Sequence, residues 1–105
     1  MSSIKIQEIQ KRDGRIVKFE ADKITNAIAK AFIAVNREDG EEAKKLSNQV
    51  VAILEKRFEG KIPHVENVQD IVEETLIRNG YADVAKAYIL YRRKRTEIRE
   101  AKKFF

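Results

Sequence analysis

From Ile24 onward the apolar residues of this chain keep a helical period, and they keep it in four separate runs. Ile24, Ala27, Ile28, Ala31, Phe32 and Val35 fall at i, i+3, i+4, i+7, i+8 and i+11, one stripe on a helix that begins near Asp22. The stretch from Asn36 to Gly40 interrupts it. A second helix from about Glu41 turns Leu46, Val50, Ile53 and Leu54 inward, with Phe58 near its end and Gly60 as its stop. Pro63 keeps Ile62 extended, because a proline disfavours helical backbone in the residue before it. A third helix from about Glu66 buries Val68, Ile71, Val72, Thr75 and Leu76 and closes at Asn79-Gly80. The last begins at Tyr81 or Ala82 and packs Val84, Ala85, Tyr88 and Tyr91. Beyond Tyr91 the stripe fades, and RRKRTEIREAKK is expected to project from the body. Four amphipathic helices in 105 residues make a single core.

The start of the chain has a different character. Residues Ile4 to Glu20 mix β-branched side chains with Lys and Gln around Asp13-Gly14, a pair that favours a two-residue hairpin turn. That turn would set Arg12 opposite Arg15, Lys11 opposite Ile16, Gln10 opposite Val17 and Glu8 opposite Phe19. The extended KIPHVEN segment offers a third strand. The expected fold is therefore α+β, a four-helix bundle capped at one end by a small sheet of about three strands.

Composition removes most chemistry. There is no cysteine, and His64 is the sole histidine, so thiolate catalysis and transition-metal sites lack their ligands. Glu41-Glu42 and Glu73-Glu74 are adjacent, and helix neighbours diverge by about 100°, so neither pair converges for acid–base work. Phosphate loops of the GxxxxGK[ST] and GxGxxG types are absent. No apolar run approaches the roughly 20 residues of a membrane span, and MSSIKIQ does not read as a signal peptide, so the expected location is cytoplasmic. The expectation is a binding module that is not itself an enzyme.

Charge indicates what it binds. Residues 1–35 carry seven Lys/Arg against four Asp/Glu, residues 36–80 seven against ten, and residues 81–105 eight against three. If the two basic ends meet, they form one positive site; solvated helix faces explain the same distribution. Lys11 and Arg12 precede a tight turn with exposed N–H groups, and Lys23 sits in the first turn of a helix, where anions are favoured. A triphosphate carries about four negative charges, which Lys11, Arg12, Lys23 and one or two of Arg92, Arg93, Lys94 and Arg95 would balance.

The order KRDG, a strand ending in Phe19, DKI at 22–24, and VAKAYILYRRKR at 84–95 resembles the ATP-cone domain, a regulatory module of ribonucleotide reductases. The resemblance runs from about Ile4 to Arg95 and implies one nucleotide-binding domain over residues 1–95, with 96–105 a helical extension or the run into a following domain. It implies ATP or dATP as an allosteric ligand, accompanied by Mg2+, and a reductase catalytic domain or partner subunit as the recipient of the signal. Lys11 and Arg12 match the motif's phosphate-contacting pair and Lys23 its third cation. Val17, Phe19 and Glu20 fall where the family holds adenine. Val65 and Gln69 fall near the sugar and phosphates, and Tyr91, Arg92 and Lys94 in the closing basic stretch. Departures stand out at three positions: many relatives have Asn or Asp at Glu20 and some a glutamate at Val17, while some have His at Gln69.

Two other readings compete. The basic last helix, with Tyr88 and Tyr91, resembles a surface that tracks nucleic-acid phosphates, although tyrosines three apart within an apolar stripe favour burial over base stacking. A module that docks through its terminal helix would be indifferent to charge reversal at Lys11 and Arg12.

Overall fold

The computed structural model describes residues 5–102. Strands β1 (Glu8–Gln10) and β2 (Ile16–Lys18) form a hairpin, followed by helices α1 (Ala21–Ala34), α2 (Gly40–Arg57), α3 (Val65–Arg78) and α4 (Ala82–Lys102). Each helix packs on two others, α1 on α2 and α4, and α3 on α2 and α4, so the four close into a ring. Ile28, Phe32, Leu46, Val50, Leu54, Val72, Leu76 and Val84 are sealed inside it. The inward residues of α3 are Val68, Ile71, Val72, Thr75 and Leu76, as its periodicity predicts. The core also takes in two hydroxyls. Thr25 donates to Ser47 at 2.7 Å between α1 and α2, whereas the buried Thr75 Oγ1 has no hydrogen-bond partner.

The hairpin differs from expectation by one residue. Glu8 pairs with Lys18, Ile9 with Val17 and Gln10 with Ile16. Lys11 N–H then donates to Arg15 C=O at 2.8 Å, and Gly14 N–H to Lys11 C=O at 3.0 Å, which makes Arg12-Asp13-Gly14 a three-residue loop. A two-residue type I′ turn needs positive φ at both central residues; here Gly14 alone has it, at 91°, and Asp13 does not. The Asp13 carboxylate instead accepts from Arg15 N–H at 3.1 Å and Arg15 Nε at 2.7 Å. A slip of one residue reverses the faces of a strand. Ile9, Lys11, Val17 and Phe19 consequently share the inner face, and Ile16 is exposed.

The sheet has two strands, not three. The 62–64 segment makes one isolated parallel bridge, His64 to Gln10, with Gln10 N–H donating to Pro63 C=O at 3.0 Å. The ladder cannot extend. Pro63 has no N–H, and the His64 N–H is taken by Asn67 Oδ1 at 2.9 Å. In return His64 Nδ1 accepts from Glu66 N–H at 3.0 Å, so the lone histidine is the N-cap of α3.

At its start α4 is fixed by Arg37, which donates to both Asp83 oxygens at 2.9 and 3.0 Å. Its 21 residues extend about 31 Å. Past Arg92 only Thr96 is half-buried among the described residues, so this portion stands out as expected. Tyr91 departs from the expected stripe: it is 37% exposed, while Tyr88 is buried. No helix among the described residues is long and apolar enough to cross a membrane.

Candidate functional site

The inner face of the hairpin, the start of α1, the first half of α3 and the middle of α4 enclose a cleft of about 240 Å³. Each element contributes for a local reason. The three-residue loop turns Lys11 inward with Ile9 and Val17, and Phe19, buried, leads the chain into α1. The first turn of α1 supplies Lys23 and Ile24, and the His64 cap fixes where α3 begins to present Val65, Val68 and Gln69. The floor is apolar, with Ile24, Ala27, Val68, Val72 and the ring of Tyr88. The rim toward the hairpin is cationic.

Ten of the residues singled out from the sequence line this cleft: Lys11, Arg12, Val17, Phe19, Glu20, Lys23, Val65, Gln69, Tyr91 and Arg92. Lys94 does not. It lies two residues beyond Arg92, about 200° around the helix, and faces solvent. Arg95, named from the sequence as a cation able to balance a triphosphate, lines the cleft too, as does Arg99, which the sequence reading did not name; both share the helical face of Tyr88, Tyr91 and Arg92. The helical period held that signal, since positions 88, 91, 92, 95 and 99 are one stripe.

The cations are not equally available. Arg12 forms an ion pair with Glu66 Oε2 at 2.6 Å, and the same nitrogen donates to Gln69 Oε1 at 3.3 Å. Lys23 pairs with Glu20 at 3.2 Å, where both side chains are largely exposed. Arg92 is the most heavily engaged. It donates to Glu66 at 3.0 Å, to Asp70 at 2.9 Å and to Glu73, and its side chain is 17% exposed. Burial disfavours this cation, but the hydrogen bonds it donates to Glu73, Asp70 and Glu66 outweigh that cost and raise its pKa above the ordinary arginine value. Arg92 thus ties α4 to an acidic stripe on α3 and is a structural cation at the edge of the cleft. Lys11, Arg95 and Arg99 have no carboxylate within ion-pair distance among the described residues, and Arg95 lies 6.0 Å over the Tyr91 ring.

Tyr88 is the polar exception on the floor. Burial raises its phenol above the ordinary tyrosine value, so it stays a neutral donor, and its hydroxyl makes no hydrogen bond to another described residue. Among the described residues no group of three His, Cys, Asp or Glu is placed to hold a metal ion.

Such a fold and cleft define a class: a small α+β module with an amphipathic hollow, apolar inside and cationic at the rim. The chain belongs to the ATP-cone family; residues 7–97 match the family model of the ATP cone domain, a regulatory rather than catalytic unit. It is 45% identical over 102 residues to a vitamin B12-dependent ribonucleoside-diphosphate reductase of Thermoplasma acidophilum, a match covering 92% of this chain and 13% of that protein. It is 40% identical over 90 residues to an anaerobic ribonucleoside-triphosphate reductase of Haemophilus influenzae, covering 86% and 13%. A ribonucleoside-diphosphate reductase subunit alpha of Chlamydia muridarum is 37% identical over 99 residues, covering 86% and 10%. The chain therefore spans about an eighth or less of the length of these relatives, and it matches their N-terminal region.

Proposed function

We infer that this chain is an effector-binding domain that takes a purine nucleoside triphosphate, ATP or dATP, and controls a ribonucleotide reductase catalytic domain. The observation that supports it is the cleft itself. Cations from opposite ends of the chain, Lys11, Arg12 and Lys23 on one side and Arg95 on the other, rim a single apolar floor in a cleft of about 240 Å³. A base in that floor is covered by Ile24, Val72 and Tyr88, and the Tyr88 hydroxyl offers it a hydrogen bond. Phosphates at the rim meet Lys11 directly and Arg12 once Glu66 releases it. Mg2+ enters in this reading as the counter-ion of the triphosphate.

ATP and dATP differ by one 2′-hydroxyl, and Gln69 on α3 is a neutral polar side chain lining the cleft beside Arg12, 3.3 Å from its guanidinium. An allosteric response of about 1–3 kcal/mol is of the size that one such contact supplies. The test is calorimetric titration of the chain with ATP, dATP and GTP. Binding of the two adenine nucleotides, abolished by Lys11→Glu, is expected. Equally weak binding of all three nucleotides, at millimolar level, overturns the assignment.

A further inference from the structure

A second hollow of about 200 Å³ adjoins the cleft and shares Lys11, Arg12, Val65, Gln69 and Arg99 with it. Its outer wall is the hairpin loop, where Asp13 and Arg15 face it. The one carboxylate there is already engaged, for Asp13 accepts from both the backbone and the side chain of Arg15. Arg15 is likewise held, and Arg12 is tied to Glu66. Lys11 and Arg99 are left, among the described residues, as cations without a carboxylate partner, and both line the two hollows. Arg99 lies two residues beyond the end of the family-matched segment, at residue 97.

We propose that this second hollow is the subsite for the terminal phosphate of the bound nucleotide, with Arg99 as its dedicated ligand and Lys11 bridging the two hollows. The proposal rests on the reading of the cleft as a nucleotide site and adds to it that the chain senses the number of phosphates. Geometry carries the argument. The apolar floor lies among α1, α3 and α4, so a base seated there directs its phosphates toward the hairpin and past Arg12. Any anion extending beyond Arg12 enters a space with two unneutralised cations and no free carboxylate. A guanidinium presents paired N–H donors that match phosphate oxygens, and Lys11 adds a second, compact positive charge to the same hollow. Position on the helix brings Arg99 to the hollow. Arg99 follows Arg92 and Arg95 on one face of α4, and it reaches the hollow because the helix continues past the matched segment to Lys102.

The test is calorimetry on the full 105-residue chain with ATP, ADP and AMP, before and after Arg99→Gln. Arg99 is exposed and holds nothing in place, so the variant is expected to melt at the temperature of the parent chain. ATP affinity should fall about tenfold, the worth of one charge-assisted hydrogen bond at an open site, while ADP and AMP affinities stay unchanged. Lys11→Gln, by contrast, should weaken ATP and ADP together. An Arg99→Gln chain that binds ATP as tightly as its parent, or that loses ATP and ADP equally, overturns the subsite and leaves the nucleotide site standing. Failure of the parent chain to bind any of the three removes the nucleotide reading itself, and the subsite with it.

Discussion

Glu66 holds two arginines at once, Arg12 at 2.6 Å and Arg92 at 3.0 Å, and this makes it an internal competitor for whatever anion enters the cleft. The network counts three carboxylates, Glu66, Asp70 and Glu73, against two guanidiniums, so it carries one surplus negative charge at the rim. Glu66→Gln removes that surplus with little change in shape. Arg92 keeps Asp70 and Glu73, while Arg12 keeps only Gln69. The Arg12 and Glu66 side chains are 28% and 37% exposed, so the pair ranks with screened surface pairs, about 0.5–1 kcal/mol. Since 1.4 kcal/mol is tenfold, freeing Arg12 should tighten ATP binding by about two- to fivefold. The gain should shrink as salt is added, because the surplus charge acts through a partly solvated gap. Stability should move the other way. Glu66 stands in the first turn of α3, where a negative charge favours the helix dipole, so Glu66→Gln should cost about 0.5 kcal/mol. Isothermal calorimetry at low and high salt, with a thermal melt of each protein, measures both. Weaker ATP binding by the variant at low salt would refute the reasoning, because Glu66 would then be helping to hold the ligand.

Three further outcomes follow from particular contacts. Thr75 Oγ1 is buried without a partner, so Thr75→Val should stabilise the fold by about 1 kcal/mol and raise the melting temperature by roughly 4–8 °C; a lower melting temperature would mean the hydroxyl is satisfied. Arg92→Gln removes from α4 the cation that neutralises three carboxylates along one face of α3, and at this partial exposure the loss should be about 2 kcal/mol by chemical denaturation; an unchanged midpoint would show that the cluster contributes nothing. Arg57 hydrogen bonds hold the Glu74 carboxyl below its usual 4.5, and Arg37 hydrogen bonds hold Asp83 below its usual 3.8. Each stabilises the fold fully above those usual values and loses its contribution as pH falls through the lower folded value. Glu74→Gln should therefore flatten the acid limb of a pH series of melts below 4.5; an acid limb as steep as the parent's would count against the Arg57 pairing.

Much of this was legible in the sequence, and the failures have local causes. The α3 stripe could be read residue by residue because helical period and burial on a bundle are the same fact. The hairpin register turned on a single backbone angle at Asp13, settled by its carboxylate closing on Arg15 rather than by any hydrophobic pattern. The third strand failed on a competition between two partners for the His64 N–H, which Asn67 wins from three residues away. For the site, the sequence told which residue types meet but not which remain available. Charge counting made Arg92 a phosphate cation; the fold surrounds it with Glu66, Asp70 and Glu73, whose spacing of four and three residues was visible as an acidic stripe with no stated partner. The family resemblance pointed to Lys94, whereas helical period points to Arg95 and Arg99. The positive charge a ligand meets is what the protein's own carboxylates leave unneutralised. By that measure the cleft's attraction comes from Lys11, Lys18, Arg95 and Arg99, and Arg12 and Lys23 contribute only as an anion displaces Glu66 and Glu20. A site built this way answers to a polyanion more steeply than to a single charge, because each displaced carboxylate frees a further cation for the next phosphate.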